Sequence, residues 1–252
     1  MTDGFHGHPC WYELTVPDPV AAGKFYASVI GWSMSKAPME GFDYFLASSD
    51  DAMIAGIVAP QDAGLPASWC LYVAVDDCDT TAQAMVAQGA QLRVPPSDIP
   101  GTGRFALLTD PMGADFGLLQ PLPGGTGGAF GQKPGQAGWN ELTSKDPAAA
   151  MAFYARHFGW QPSTAMDMGP VGTYQLFALG GADIGGIMGL SPLGTPGLWL
   201  PYFNVTSIDA ASDAIPAAGG SVTHGPTEVP GGMWVLQGVD PQGAAFAVTG
   251  PR

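Results

Sequence analysis

Two glutamates stand at the same place in two copies of one sequence. Residues 11–32, WYELTVPDPVAAGKFYASVIGW, and residues 139–160, WNELTSKDPAAAMAFYARHFGW, match at 13 of 22 positions, and the third residue of the copies is Glu13 and Glu141. A carboxylate in an apolar, aromatic-lined pocket has its charged form disfavoured by desolvation, which prepares it to act as a general base. In the alternative interpretation, both glutamates accept hydrogen bonds from backbone or tyrosine and brace their strands. The presence of a glutamate in each copy favours the bracing role.

The glutamates predict which other side chains share their surroundings. Residues two apart on a strand point to the same face of the sheet. Trp11 therefore lies beside Glu13, and Trp139 beside Glu141, where an indole can form the flat floor of an aromatic pocket. Together with the ligand places that the family resemblance described below implies, the same spacing gives as predicted ligand-binding residues Trp11, Cys70, Tyr72, Arg104, Asp115, Trp139, Tyr202 and Asn204.

Arg104 is one of only four arginines in the chain, and it follows the turn sequence PGTG. Trp234 takes its place in the second half. A guanidinium at this place could hold a carboxylate or another polar group at the mouth of a cavity. An equally good interpretation is a salt bridge with one of the many acidic residues of the surface.

The histidines have mainly structural interpretations. His6 and His8 could present two imidazoles on one strand face and hold a metal, but they stand at the start of the chain, where disorder is common. His157 is placed near the end of a predicted helix, where an imidazolium meets the helix dipole favourably. His224 precedes a Gly-Pro turn. No Ser-His-Asp order or nucleophile elbow is recognisable.

The elements that must position these residues come from an internal repeat, which continues at an offset of about 130 residues. In the first unit a strand, CWYELTV, is followed by Asp18 and Pro19, which predict the N-cap and first turn of a helix. An apolar stripe at Ala22, Phe25, Tyr26 and Val29 has helical spacing, and Gly31 predicts the helix end. Further strands follow, and the pattern occurs four times, with Pro216 expected to shorten the fourth helix. The sequence predicts an α+β protein of four βαβββ modules.

The repeat also predicts the domain organisation. Each pair of modules forms one domain, at residues 1–122 and 137–252. Residues 123–136 are rich in glycine and proline without an apolar period, which is typical of a linker. The sequence leaves open which modules pair around each cavity.

Composition excludes several classes of function. The chain of 252 residues carries 22 acidic residues against eight lysines and arginines, a net charge of −14, which disfavours binding to nucleic acid and suits a neutral or cationic ligand. Solubility alone is a simpler explanation of this charge. No stretch is apolar enough to span a membrane, and the start of the chain lacks the features of a signal peptide. The three cysteines form no C-x-x-C pair, so we expect reduced thiols in a cytoplasmic protein.

The helices D-P-x-x-A-x-x-F-Y-x-x-x-x-G-W and the turns D-P-x-G-x-x-F resemble the vicinal oxygen chelate superfamily, which includes glyoxalases, bleomycin-resistance proteins and extradiol dioxygenases. The likeness covers nearly the whole chain outside the linker. It implies two modules around each cavity, and a divalent metal held by His and Glu from the first and last strands of the modules. Carried over to this chain, these places are Trp11, Ala55 or Gly56, Cys70 and Gly117 in the first half, and Trp139, Gly185 or Gly186, Leu200 and Ala247 in the second. Only Cys70 among them could bind a metal, so we expect no cofactor, and a divalent metal lacks support from the ligand places.

Three functions follow as hypotheses. The first is a protein that binds a small neutral or cationic organic molecule in two aromatic-lined cavities without a metal. The second is a lyase, isomerase, hydrolase or dioxygenase that uses Glu13 or Glu141 as a base or in an unrecognised metal site. The third is an interaction protein that has lost both pockets. Either a monomer with an internal pseudo-dimer or a homodimer is compatible with the repeat.

Overall fold

The computed structural model describes residues 5–38, 41, 43–62, 64–123, 128–189 and 197–252. Its elements repeat the order strand, helix and three strands four times, which confirms the α+β class and the four βαβββ modules. Module one contains β1 (Pro9–Thr15), α1 (Pro19–Val29), β2 (Ser33–Lys36), β3 (Tyr44–Ser49) and β4 (Ala52–Val58). Module two contains β5 (Ser68–Ala74), α2 (Cys78–Val86), β6 (Gln91–Ile99), β7 (Gly103–Thr109) and β8 (Asp115–Pro121).

The second half has the same order. Module three contains β9 (Ala137–Thr143), α3 (Pro147–Phe158), β10 (Gln161–Asp167), β11 (Thr173–Leu179) and β12 (Ala182–Met188), with a short 3₁₀ helix at Gly169–Val171. Module four contains β13 (Leu198–Asn204), α4 (Ile208–Ala217), β14 (Ser221–Val229), β15 (Met233–Val239) and β16 (Ala245–Gly250).

The strands form two eight-stranded sheets with the same topology. The first has the order β2-β3-β4-β1-β5-β8-β7-β6, and the second has the order β10-β11-β12-β9-β13-β16-β15-β14. The first strand of a module runs parallel to its last strand, as in β1 with β4 and β5 with β8, whereas the hairpins within each module are antiparallel. Each half of the chain therefore supplies one mixed sheet.

The helix ends follow the local sequence signals. The Asp18 carboxylate accepts a hydrogen bond from Ala21 N at 2.9 Å, Pro19 is the first helical residue, and Gly31 leaves the helix with a φ of 92°. These are the N-cap, first-turn proline and C′ glycine that the sequence predicted. The helix α4 ends one residue after Pro216, so the proline lies in its final turn.

The chain divides into two compact units that follow modules rather than halves. The one–four unit consists of Trp11–Trp69, Gly127–Trp139 and Leu200–Arg252, and the two–three unit consists of Met1–Cys10, Cys70–Thr126 and Asn140–Trp199. Compact packing thus joins module one with module four, and module two with module three. The proposed domain boundaries at 122 and 137 stay a prediction.

A buried tyrosine organises the core of the one–four unit. The Tyr26 hydroxyl donates to Asp240 Oδ2 at 3.1 Å and accepts from Trp69 Nε1 at 3.1 Å. Asp240 Oδ1 in turn accepts from the backbone N–H groups of Gln242 and Ala244, which shapes the Asp-Pro turn. Burial, followed by the charge of Asp240, raises the pKa of Tyr26 well above its usual value, so the phenol keeps its proton and donates it.

The two–three unit repeats this arrangement. Tyr154 donates to Asp110 Oδ2 at 2.9 Å and accepts from Trp199 Nε1 at 3.1 Å. Asp110 Oδ1 accepts from the backbone of Met112 and Ala114. The Phe-Tyr helices and the Asp-Pro turns that define the repeat in the sequence are therefore hydrogen-bonded to each other within each unit.

Residues 128–136, the described part of the predicted linker, are packed rather than extended away from the fold. Gly135 O accepts from Trp32 Nε1 at 2.7 Å, and Gly131 O accepts from Asn204 Nδ2 at 2.8 Å. Phe130 also pairs with Ala137 in an isolated bridge. Residues 124–127 of the predicted linker lie outside the described residues. A Cβ at Gly128, Gly131 or Gly135 would collide with neighbouring atoms, so the glycines of this segment permit close packing.

Among the described residues, no helix combines the length and the apolar character required for a membrane span.

Replacing Tyr26 by Phe should lower the free energy of unfolding by about 2 kcal/mol, because the change leaves Asp240 Oδ2 and Trp69 Nε1 buried without this partner. Urea denaturation followed by circular dichroism measures the difference. Tyr154→Phe is the matched variant of the two–three unit and should give a loss of similar size. A change within experimental error in both variants would contradict the role given to these bonds.

Candidate functional site

Strand β1 separates a core face from an accessible face. Tyr12 and Leu14 have no exposed surface, whereas Trp11, Glu13 and Thr15 alternate with them and are half-buried. This confirms the predicted alternation and places Trp11 and Glu13 on one face. The accessible face of module one is called the module-one face below, defined by Trp11, Glu13, Thr15, Tyr44, Gly56 and Val58.

A hydrogen-bond chain joins three side chains of the module-one face. Trp11 Nε1 donates to the Tyr44 hydroxyl at 3.1 Å, and this hydroxyl donates to Glu13 Oε2 at 2.9 Å. The chain gives Glu13 the tyrosine partner that the bracing interpretation expected. These hydrogen bonds also hold the indole of Trp11 and the phenol of Tyr44 next to the Glu13 carboxylate, which is half-buried.

Tyr44 takes its position because residue 56 is a glycine. Gly56 pairs with Glu13 in the sheet, so the two residues share a face, whereas Ala55 pairs with the buried Tyr12. A Cβ at position 56 would collide with the Tyr44 hydroxyl and ring. Of the two alternatives from sequence, Gly56 is therefore the residue on the accessible face, and Tyr44 fills the space above it.

Module three carries the corresponding residues. Glu141 pairs with Gly186, and a Cβ at Gly186 would collide with the ring of Tyr174. Trp139 is half-buried, but Glu141 is only 7% exposed and Tyr174 only 9%. The module-three face is defined by Trp139, Glu141, Thr143, Tyr174, Gly186 and Met188.

Modules two and four carry Cys70, Tyr72, Tyr202 and Asn204 on their first strands, whereas Arg104 lies on β7 and Asp115 on β8. Cys70 is half-buried, and Tyr72 is 4% exposed with its ring over Gly117, where a Cβ would collide with it. In module four, Tyr202 is 4% exposed, and its hydroxyl accepts from Gln237 Nε2 at 2.6 Å. A tyrosine therefore overlies the last strand in module two, as in modules one and three.

Three predicted ligand-binding residues are occupied with structural contacts. The Arg104 guanidinium binds Asp79 through two nitrogens at 2.6 and 3.0 Å and Asp98 at 2.8 Å, which is the salt bridge of the second interpretation. The hydrogen bonding from Arg104 holds the pKa of Asp79 below its usual value. Asp115 is exposed and accepts from Thr109 Oγ1. Asn204 is buried and donates to Gly131 O and Lys133 O, so it secures the segment before β9.

His6 and Gly7 contact module three, whereas the sequence predicted disorder near this end of the chain. His6 Nε2 lies 2.9 Å from the carbonyl oxygen of His157, and Gly7 O accepts from Trp160 Nε1 at 2.7 Å. Burial lowers the pKa of His8, and burial followed by the charge of Arg156 lowers the pKa of His157. The His6 imidazole therefore contacts α3 in the two–three unit, whereas His8 lies partly exposed at the surface.

The cysteines are free thiols, as the sequence predicted. Burial raises the pKa of Cys10 strongly, and burial followed by Asp79 raises the pKa of Cys78 to about 11. Both thiols are therefore protonated at neutral pH and are poor metal ligands. Cys70 differs from them because it is half-buried.

Sequence reasoning missed Tyr44 and Tyr174, the residues that connect each tryptophan–glutamate pair to the rest of the face. A signal was available, because the two tyrosines are 130 residues apart, the offset at which the rest of each half repeats. Each lies one strand away from the glycine that it covers, and a strand pairing was needed to bring them together.

The fold defines a tandem protein of four βαβββ modules. The profile of the Glyoxalase/Bleomycin resistance protein/Dioxygenase superfamily matches residues 9–118 and 136–248, and the chain belongs to this family.

Its relatives extend the likeness over nearly the whole chain. The Mycobacterium tuberculosis protein named "Putative glyoxylase CFP32" is 36% identical over 254 residues, covering 97% of this chain and 95% of the relative. The anthracycline biosynthesis protein DnrV of Streptomyces peucetius is 31% identical over 270 residues, covering 98% and 94%.

Solved structures share the fold at low identity. The Mn(II)-bound glyoxalase from Novosphingobium aromaticivorans has a TM-score of 0.70 and 17% identity, with 97% of this chain and 82% of that chain covered. The 2,3-dioxygenase LapB from Pseudomonas sp. KL28 has a TM-score of 0.66 and 15% identity, with 96% and 91% covered.

The residues at the family's metal places do not fit a divalent cation. In the first half the places hold an indole, two glycines and one thiol, and in the second an indole, a glycine, Leu200 and Ala247. Tyrosine rings already occupy the space that a side chain at Gly56, Gly117 or Gly186 would need. Within the described ranges, no three His, Cys, Asp or Glu side chains cluster as metal ligands. Hard and borderline cations require several oxygen, nitrogen or sulfur donors, which these places lack.

Gly56→Ala should lower the free energy of unfolding by about 1–3 kcal/mol, because the added methyl group displaces Tyr44 from its hydrogen bonds. Thermal and urea denaturation measure the loss. Combining the change with Tyr44→Ala should restore part of it, since neighbouring substitutions couple. Gly64→Ala, in an open loop, is the control and should be neutral. Full additivity of the Gly56 and Tyr44 changes would contradict the packing described.

Proposed function

We propose that the chain binds a small neutral or cationic organic molecule on the module-one face without a metal. The observation that carries the proposal is the position of Tyr44, which covers a family metal place and links Trp11 to Glu13. An indole, a phenol and a carboxylate on one half-buried face supply apolar contact, a hydrogen-bonding partner and a negative charge.

Electrostatics supports the choice of ligand charge. The net charge of −14 raises the local concentration of cations and lowers that of anions. On the module-one face the carboxylate of Glu13 can accept a hydrogen bond from an N–H or ammonium group of the ligand. An organic amine with an aromatic body matches both parts of the face.

The relatives give a chemical starting point. The Streptomyces relatives are named for anthracycline biosynthesis, and the mycobacterial relatives carry the name of a glyoxylase. An anthracycline with an amino sugar combines a flat aromatic body and a cationic group, so it serves as the probe. We expect a cytoplasmic protein, active as a monomer or a homodimer.

The alternative is an enzyme that uses Glu13 as a base. Two observations favour it: the relatives named as glyoxylases, and a carboxylate held next to a phenol that can exchange protons with it. Turnover of a bound compound that is abolished by Glu13→Gln, with binding preserved, would establish the enzymatic function instead.

The binding proposal is tested by calorimetric titration with three probes: the amine-bearing anthracycline, its neutral aglycone and anthraquinone-2-sulfonate. Affinity should fall in this order, and an added chelator should leave it unchanged. Glu13→Gln should weaken binding of the amine about tenfold, equivalent to about 1.4 kcal/mol, with a smaller effect on the aglycone.

Asp115→Asn and Arg104→Gln are the control variants, because both side chains are engaged in exposed contacts elsewhere, and they should bind the probes like the unmodified chain. Absence of saturable binding to all three probes would contradict the proposal. Loss of binding on chelation would contradict its metal-free part.

A further inference from the structure

We propose that the two copies of the repeated sequence have taken different roles, so that the module-one face binds one ligand per chain and the module-three face is a filled structural copy. This inference rests on the proposed function and assigns it to one of the two glutamates. The sequence alone predicts the same roles for Glu13 and Glu141.

Burial separates the two faces at matching positions. Glu13, Thr15 and Tyr44 are half-buried in module one. Their counterparts Glu141, Thr143 and Tyr174 are 7%, 3% and 9% exposed. A ligand can reach the first carboxylate and phenol, whereas the second pair is covered by the protein itself.

A change of side-chain volume accompanies the burial. Val58 pairs with Thr15 on the module-one face, and Met188 pairs with Thr143 at the matching position of module three. Val58 is half-buried and Met188 only 7% exposed. Methionine is longer and flexible, and it fills gaps that valine leaves open.

Modules two and four differ in the same direction. Cys70 and Gly117 of module two correspond to the larger Leu200 and Ala247 of module four, which are 3% and 0% exposed. Leu107 corresponds to Gln237, whose amide donates to Tyr202 at 2.6 Å in a buried hydrogen bond that leucine cannot form. The substitutions of the second half therefore add volume and internal hydrogen bonding.

These differences give Glu13 and Glu141 separate roles. A buried carboxylate with internal contacts contributes to stability, and its loss leaves buried polar groups unsatisfied. A half-buried carboxylate that belongs to a hydrogen-bonded aromatic face can add an interaction with a ligand. The bracing and binding interpretations of the glutamates thus apply to different copies.

The test uses the amine-bearing anthracycline in calorimetric titrations and in tryptophan-quenching titrations. The unmodified chain should bind one equivalent. Trp11→Phe should reduce the ligand-induced quenching more than Trp139→Phe does, because quenching falls steeply with the distance between the ligand and the indole.

Glu141→Gln provides the independent arm. It should leave the affinity unchanged within about twofold while lowering the melting temperature, whereas Glu13→Gln should do the reverse. If Glu141→Gln fails to fold, Tyr174→Phe takes its place against Tyr44→Phe.

Binding of two equivalents, or equal loss of quenching in Trp11→Phe and Trp139→Phe, would overturn the inference and leave the proposed function standing. Loss confined to Trp139→Phe would reverse the assignment and also overturn it. If none of the three anthraquinone-type probes binds, the proposed function itself fails, and this inference fails with it.

Discussion

The hydrogen bond between a buried helix tyrosine and the aspartate of an Asp-Pro turn is the interaction on which the architecture depends. Tyr26 with Asp240 and Tyr154 with Asp110 are equivalent bonds in the two compact units. Each aspartate also accepts from two backbone N–H groups of its turn, so the carboxylate is satisfied although it is buried. A tryptophan N–H also donates a hydrogen bond to each tyrosine hydroxyl. Since every member has a partner, the network specifies a single arrangement of helix and turn.

In module one, the side chains of the first strand, β1, alternate between a buried face and an accessible face. The core side of β1 is fully buried under aromatic residues, including the edge-to-face contact of Tyr12 with Phe203 at 5.6 Å. The opposite side carries Trp11 and Glu13, and the glycine at position 56 makes room for Tyr44 between them. The place where the family resemblance implies a metal ligand holds Gly56, and an aromatic hydrogen-bond chain lies over it.

The sequence could predict the fold because the information lies in local and repeated signals. Asp18, Pro19 and Gly31 mark a helix, and the 13 matches between the two copies establish the repeat. It could predict the face of Glu13 from strand alternation. It could not identify Tyr44 as a partner, because that contact depends on the pairing of β3 with β4 and β1. The sequence predicts Arg104 and Asn204 as ligand-binding candidates, because composition and spacing do not reveal their partners. Arg104 donates to Asp79, and Asn204 donates to Gly131 O.

The most direct measurement is the elemental metal content of tag-free protein before and after dialysis against nickel, zinc, manganese and iron. Tyr44 fills one family metal place, and the remaining places offer a single thiol, so less than about a tenth of an equivalent of each metal should remain. Retention of about one or two equivalents would contradict the account, because metal binding of this strength requires several donor side chains in one site.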